Sequence, residues 1–109
     1  PQPGDHGYNH WVATQNNAAP SHKDPVNFAR NGAAAGPMAG YSAPLMADEA
    51  ARWVDGGRDK SKPFFLALWS HEPHLPIESD PVHQKPYADL PEEFRQHHGD
   101  VTQLDAAFG

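Results

Sequence analysis

The chain of 109 residues has no cysteine, so its chemistry rests on eight histidines and a few amides, with no thiolate nucleophile, thiolate metal ligand or disulfide on offer. Two histidines stand out by place. His71 and His74 lie in Ser70-His71-Glu72-Pro73-His74-Leu75-Pro76, directly after the longest apolar run, residues 64–69. Side chains just past the carboxyl end of a buried strand converge on the ligand crevice of an open α/β sheet, which makes this string the first candidate for a site. Pro73 and Pro76 exclude a helix there, and the His-Glu-Pro-His spacing does not match the helical zinc-protease motif. In extended backbone of period two, His71 and His74 point to opposite sides, so one of them faces a given crevice.

The other histidines, His6, His10, His22, His83, His97 and His98, lack the four-ligand spacing of a zinc site, and no metal site is expected within the chain. His97-His98 reads as a solvated or packing pair. Gln15-Asn16-Asn17 can present amide donors to an anion or a sugar hydroxyl, although asparagine is also an ordinary turn residue. Asp100 and Asp105 need no chemistry as first-turn or solvated charges, and Asp24-Pro25 and Asp80-Pro81 read as turn starts. No phosphate-cradling glycine loop, Gly-x-Ser-x-Gly elbow or paired-carboxylate arrangement is present.

The elements that hold these residues follow from composition and period. Eight Lys and Arg against 14 Asp and Glu give a net charge of −6, which disfavours a nucleic-acid partner, and the apolar run is far short of a membrane span. Nine glycines and 12 prolines imply a loop-rich chain with a thin core, the mark of an incomplete unit. The opening Pro1-Gln2-Pro3-Gly4 and an apolar stripe unfinished at Gly109 point the same way. Residues 1–40 show no useful period and are expected to be an irregular, pocket-bordering segment, with Tyr8, Trp11 and Phe28 ordered against a larger body. Residues 41–109 read as helix, strand, loop and helix.

The first helix is expected over residues 43–55, with Ser42 as N-cap, Pro44 in the first turn, Gly56-Gly57 as stop, and an apolar stripe of Met46, Ala50, Trp53 and Val54. Asp48 and Arg52 form an i, i+4 pair on its wet side. The run at 64–69 has no alternation and reads as a strand buried on both faces, as in a parallel sheet between helices. The last helix is expected to begin near residues 98–100 and to bury Val101, Leu104, Ala107 and Phe108.

A resemblance now becomes visible. His6-Gly7-Tyr8-Asn9-His10-Trp11, Thr14-Gln15-Asn16-Asn17, the helix of residues 41–55, Lys62-Pro63-Phe64-Phe65-Leu66, the Ser70 to Pro76 string and Val101-Thr102-Gln103-Leu104-Asp105-Ala106-Ala107-Phe108-Gly109 occur together in this order. The combination resembles the middle of a type I (arylsulfatase-like) sulfatase, of the alkaline-phosphatase-like superfamily, over essentially the whole chain. The resemblance implies an α/β fold, a central mostly parallel sheet flanked by helices, of which residues 1–109 are an internal, loop-rich piece of the catalytic domain. It also implies hydrolysis of aryl or carbohydrate sulfate esters by a formylglycine hydrate, with Ca2+ holding the sulfate.

The nucleophile motif Cys/Ser-x-Pro/Ala-x-Arg and the calcium ligands fall outside these residues, so the segment alone is not expected to turn over. By the same resemblance His74 lies in the sulfate pocket, where it bonds a sulfate or bridging oxygen and helps the leaving group depart, and Asn17 or its neighbour Asn16 borders the substrate. No role carries over to His71. The implied partners are a sulfated small molecule or glycan and the remainder of the parent polypeptide, in a secreted or periplasmic setting. A phosphonate or phosphodiester hydrolase of the same superfamily, and a non-catalytic histidine-rich binding module, are the alternatives.

Overall fold

In the computed structural model, which describes residues 1–109, three two-residue strands precede three helices. Strands β1 (Val12–Ala13), β2 (Ala29–Arg30) and β3 (Ala33–Ala34) form one antiparallel sheet in the order β1-β2-β3. The β2–β3 hairpin is dictated locally: Asn31 and Gly32, with φ of 49° and 89°, are the Asn-Gly pair that a two-residue turn with both central residues left-handed requires. Residues 1–40 are thus irregular apart from this sheet and a 3-10 turn at Pro3–His6.

Helix α1 spans Ser42–Arg52 and runs on through a wide π turn, Trp53–Gly57, to the expected glycines. Its cap differs from expectation. Tyr41 stands at the N-cap without a side-chain bond, and Ser42 turns inward to the Glu72 carboxylate. Met46 is buried and Ala50, Trp53 and Val54 are partly buried, as the stripe requires. Arg52 pairs with Glu49 at 3.1 Å rather than with Asp48. Glu49 also takes both nitrogens of a fork from Arg30, each at 2.9 Å, and lies 3.2 Å from His10 Nε2. These bonds, Arg30 first, hold its carboxyl down at about 2 and tie the N-terminal segment and the sheet to α1.

Residues 64–70 correct the expectation of a doubly buried strand. No backbone N–H or C=O between Phe64 and Ser70 has a backbone partner, and Phe65 and Trp69 are 76% and 83% exposed. Extended backbone becomes buried only when other strands occupy its edges, and the strands of this chain pair with one another at residues 12–34. The sheet is therefore small and antiparallel, and no central parallel sheet forms among these residues.

The loop past the site also holds more structure than expected. Asp80 accepts from the Val82 N–H at 2.9 Å and caps α2 (Pro81–Gln84), with a 3-10 turn at Lys85–Tyr87 behind it. Helix α3 (Glu92–Phe108) begins directly after Pro91, with Glu92 and Glu93 in its first turn, where the helix dipole favours them. Its expected apolar stripe is only half covered: Val101 and Phe108 are exposed, Leu104 and Ala107 are partly buried, and the fully buried residues are Gly99, Asp100 and Gln103. A polar face can pack here because glycine at 99 admits the neighbouring loop. A Cβ there would stand 2.7 Å from Ser79 Oγ and 2.8 Å from Gln84 Cγ. Ser79, Gln84 and Gln96 interlock by hydrogen bonds, and Gln103 Oε1 accepts from the Asp80 N–H at 2.9 Å. His97 and His98 stack edge to face, and His98 leans on Tyr87.

The buried apolar side chains are Ala18, Phe28, Ala43 and Met46, outnumbered by His22, Ser42, Glu72, Ser79, Asp100 and Gln103. The interior is a polar network rather than an oil drop, in which His71 Nδ1, both Asp100 oxygens and Gln103 Nε2 are buried without a partner. No helix is long and apolar enough to cross a membrane.

Candidate functional site

A polar cavity of about 290 Å³ is lined by Asn16, Asn17, Ser70, His71 and His74, with no hydrophobic residue in its wall. Two stretches nearly sixty positions apart build it, the turn after β1 and the loop after the extended segment. Asn17 Nδ2 donates to the Leu75 carbonyl at 2.6 Å and lies 3.1 Å from His74 Nδ1, a sequence separation of 57. Asn16, Ser70 and His71 also line a wider groove that follows residues 57–71, with Trp11, Trp53, Phe64 and Leu68 along its length.

Both histidines of the string reach the same cavity, contrary to the alternation of an extended segment. The backbone turns at this point, with the His74 N–H donating to the His71 carbonyl at 2.8 Å, and the reversal brings the rings to one side. Each ring has a fixed tautomer by hydrogen-bond count. His74 Nδ1 lies 2.6 Å from the Leu75 carbonyl, which can only accept, so Nδ1 carries a proton and Nε2 is the nitrogen presented outward from this exposed ring. Thr14 Oγ1 donates to the Asn16 carbonyl and lies 3.1 Å from His71 Nε2, so Nε2 is the donor of that contact. His71 Nδ1 is then an acceptor, buried and without a partner. Burial holds His71 below the usual histidine range, against the pull of Glu72, and a ring kept neutral in this way suits that tautomer.

The two amides differ in what they have left to give. Asn17 is committed: Oδ1 accepts from the Ala18 N–H at 2.9 Å, Nδ2 holds Leu75, and its carbonyl accepts from Asn27 at 2.8 Å. The Asn16 side chain forms no hydrogen bond within the chain, so its donors are unspent at the edge of the cavity. Ser70 is committed as well, donating to Glu72 Oε2 at 2.7 Å.

Beneath the cavity lies a layer that sequence reasoning did not find. Glu72 is 6% exposed, and its Oε1 accepts from Ser42 Oγ at 2.5 Å and from the Ala43 N–H at 2.7 Å, so a carboxylate from the loop caps helix α1 from a distance. Burial acts to raise Glu72, but the bonds from Ser42, Ser70 and Ala43 outweigh it and hold the carboxyl below its ordinary range. His22, fully enclosed, lies 2.5 Å from the His74 carbonyl through Nε2 and 3.3 Å from Ser42 Oγ through Nδ1. Asp100 completes the layer from α3, and neither of its oxygens has a partner. The sequence carried one signal for this layer: Glu72 stands inside the histidine string, although its spacing fits no metal motif.

Burial pushes Asp100 up to about 6, with His22 pulling it down and Glu72 pushing it further up. A carboxyl whose folded value lies above its unfolded 3.8 adds stability that is complete below that pH and lost as pH rises through about 6. Asp100→Asn should remove the loss. Urea unfolding at pH 8 is expected to show the variant more stable by on the order of 1–2 kcal/mol, the gain vanishing near pH 4. A variant no more stable than the parent at pH 8 would place the strain elsewhere.

No group of three His, Cys, Asp or Glu stands where it could hold a metal ion, so the residues of this chain do not fit a calcium site. No protein-family model and no curated protein matches the chain.

Proposed function

We propose that this chain is an internal segment of a sulfuric ester hydrolase and that His74 protonates the leaving group of an aryl or carbohydrate sulfate. The observation that carries the reading is the polar cavity itself, where Asn16, Asn17 and His74, which resemble sulfatase pocket residues, stand around one space. A pocket without apolar walls suits a small, strongly hydrated anion better than a lipid or an aromatic ring. The exposed, unpaired segment at 64–70 fits the same reading. Its free backbone and large apolar side chains would be covered by strands of the remaining polypeptide, in an alkaline-phosphatase-like sheet.

The chemistry that these residues supply is proton transfer and positioning. As the S–O ester bond breaks, its electron pair goes to the alcohol oxygen, which takes the proton from His74 Nε2, while water supplies the oxygen that leaves as hydrogen sulfate. The Leu75 carbonyl holds the Nδ1 hydrogen, which keeps the ring oriented with Nε2 free to meet the leaving oxygen. Asn16 offers its amide hydrogens to a sulfate oxygen, and Asn17 holds the His74 loop against the turn after β1. The nucleophile and the Ca2+ that the resemblance implies belong to the remainder of the parent, in the proposed secreted or periplasmic enzyme.

Assay of the full-length parent against nitrophenyl sulfate, a nitrophenyl phosphonate and bis(nitrophenyl) phosphate tests the substrate class. The sulfate should have the highest kcat/KM. A phosphonate or phosphodiester turned over faster would assign the segment to the other hydrolases of that superfamily.

A further inference from the structure

We propose that His22 is a positioning residue for His74, a buried imidazole whose Nε2 clamps the His74 main-chain carbonyl and so fixes the direction in which the His74 ring meets the polar cavity. What His74 does rests on the sulfatase reading; how it is held does not.

The clamp follows from counting hydrogens. The His74 carbonyl can only accept, so His22 Nε2, 2.5 Å away, is the donor. Nδ1 faces the start of α1, 3.3 Å from Ser42 Oγ and 3.9 Å from Glu72 Oε1. The ring is fully enclosed, so these contacts set its orientation.

The clamp is also anchored. The His22 carbonyl accepts from the Ser42 N–H at 2.8 Å, and the next residue, Lys23, forms an antiparallel bridge with Tyr41. The ring thus stands on a short ladder beside the start of α1, and it spans from there to the main chain of an exposed side chain. Asn17 and the Leu75 carbonyl fix His74 on the cavity side, and His22 fixes it from below. Partners of this kind, one step removed from the reacting group, commonly change activity by about 10–100-fold when removed.

The test compares His22→Leu, which removes the donor, with His22→Gln, which keeps one N–H for the carbonyl, in the full-length protein. His22→Leu is expected to lower kcat for nitrophenyl sulfate by about 10–100-fold with KM nearly unchanged. His22→Gln should recover most of it and leave the His74 ring signals in nitrogen NMR where the parent has them. Equal losses in both variants, or no loss in either, would overturn the positioning role. If His22→Leu does not fold, His22→Gln decides alone, and displaced His74 ring signals in that variant would overturn the clamp. In the parent, His22 Nε2 should carry the ring proton that the His74 carbonyl accepts, and a bare Nε2 would overturn the clamp. A parent without sulfatase activity would count against the proposed function only, since the ring signals still judge His22.

Discussion

His74→Ala in the full-length protein is expected to lower kcat for sulfate-ester hydrolysis by about 10²–10⁴-fold, the usual contribution of a positioned general acid, with a much smaller change in KM. The expectation comes from the division of labour within the ring. Nδ1 is spent on the Leu75 carbonyl at 2.6 Å, which leaves Nε2 as the nitrogen that can face a substrate. No other side chain in the cavity can replace it. Ser70 is bound to Glu72, Asn17 to Leu75, and His71 turns its one N–H to Thr14. The loss should fall on kcat because the proton is needed only as the ester bond breaks. An unchanged kcat/KM would remove His74 from the mechanism.

The largest effect on stability is expected at Glu72. Glu72→Ala takes a partner from Ser42, Ser70 and the Ala43 N–H at once and removes the carboxylate 3.9 Å from His22 Nδ1. Breaking a buried pair from one side costs about 3–5 kcal/mol, because the surviving groups stay desolvated with nothing to bond. The pH dependence should carry the same signature. Glu72 lies below its unfolded value of 4.5, so its contribution is complete above that pH and is lost as pH falls further. Asp100 acts on the other limb, where stability declines as pH rises through about 6. The parent should therefore be most stable between these limits, and Glu72→Ala should flatten the acid limb. Urea unfolding between pH 3 and 8 measures both, and an acid limb as steep in Glu72→Ala as in the parent would contradict the capping role of this carboxylate.

What could be read from the sequence followed local rules. The first helix and its inward stripe were legible because Met46, Ala50, Trp53 and Val54 recur at helical spacing before two glycines. The Asn31-Gly32 hairpin obeys an equally local rule, but residues 1–40 were expected to be irregular and it was missed. Other features depend on neighbours that no window of sequence contains. Val101 and Phe108 have the period of a buried stripe, yet Gly99, Asp100 and Gln103 are buried instead, because the tight seat at Gly99 and the amides of the α2 loop decide which face turns inward. The run at 64–70 has the composition of a central strand, but pairing needs a second strand in register.

The site divides in the same way. His74, Asn17 and Asn16 stand around one cavity, while His22, Glu72 and Asp100 beneath them had no role assigned from the sequence. Their roles come from burial, which turns a solvated charge into one that must find a partner.

The most direct test of His74 as leaving-group acid compares leaving groups. A phenolate as stable as nitrophenolate departs with little help, whereas a sugar or alkyl alkoxide needs its proton in the transition state. The ratio of kcat/KM in His74→Ala to that of the parent should therefore be only modestly reduced for nitrophenyl sulfate and far lower for an alkyl or sugar sulfate. The same ratio for both substrates would contradict proton delivery by His74.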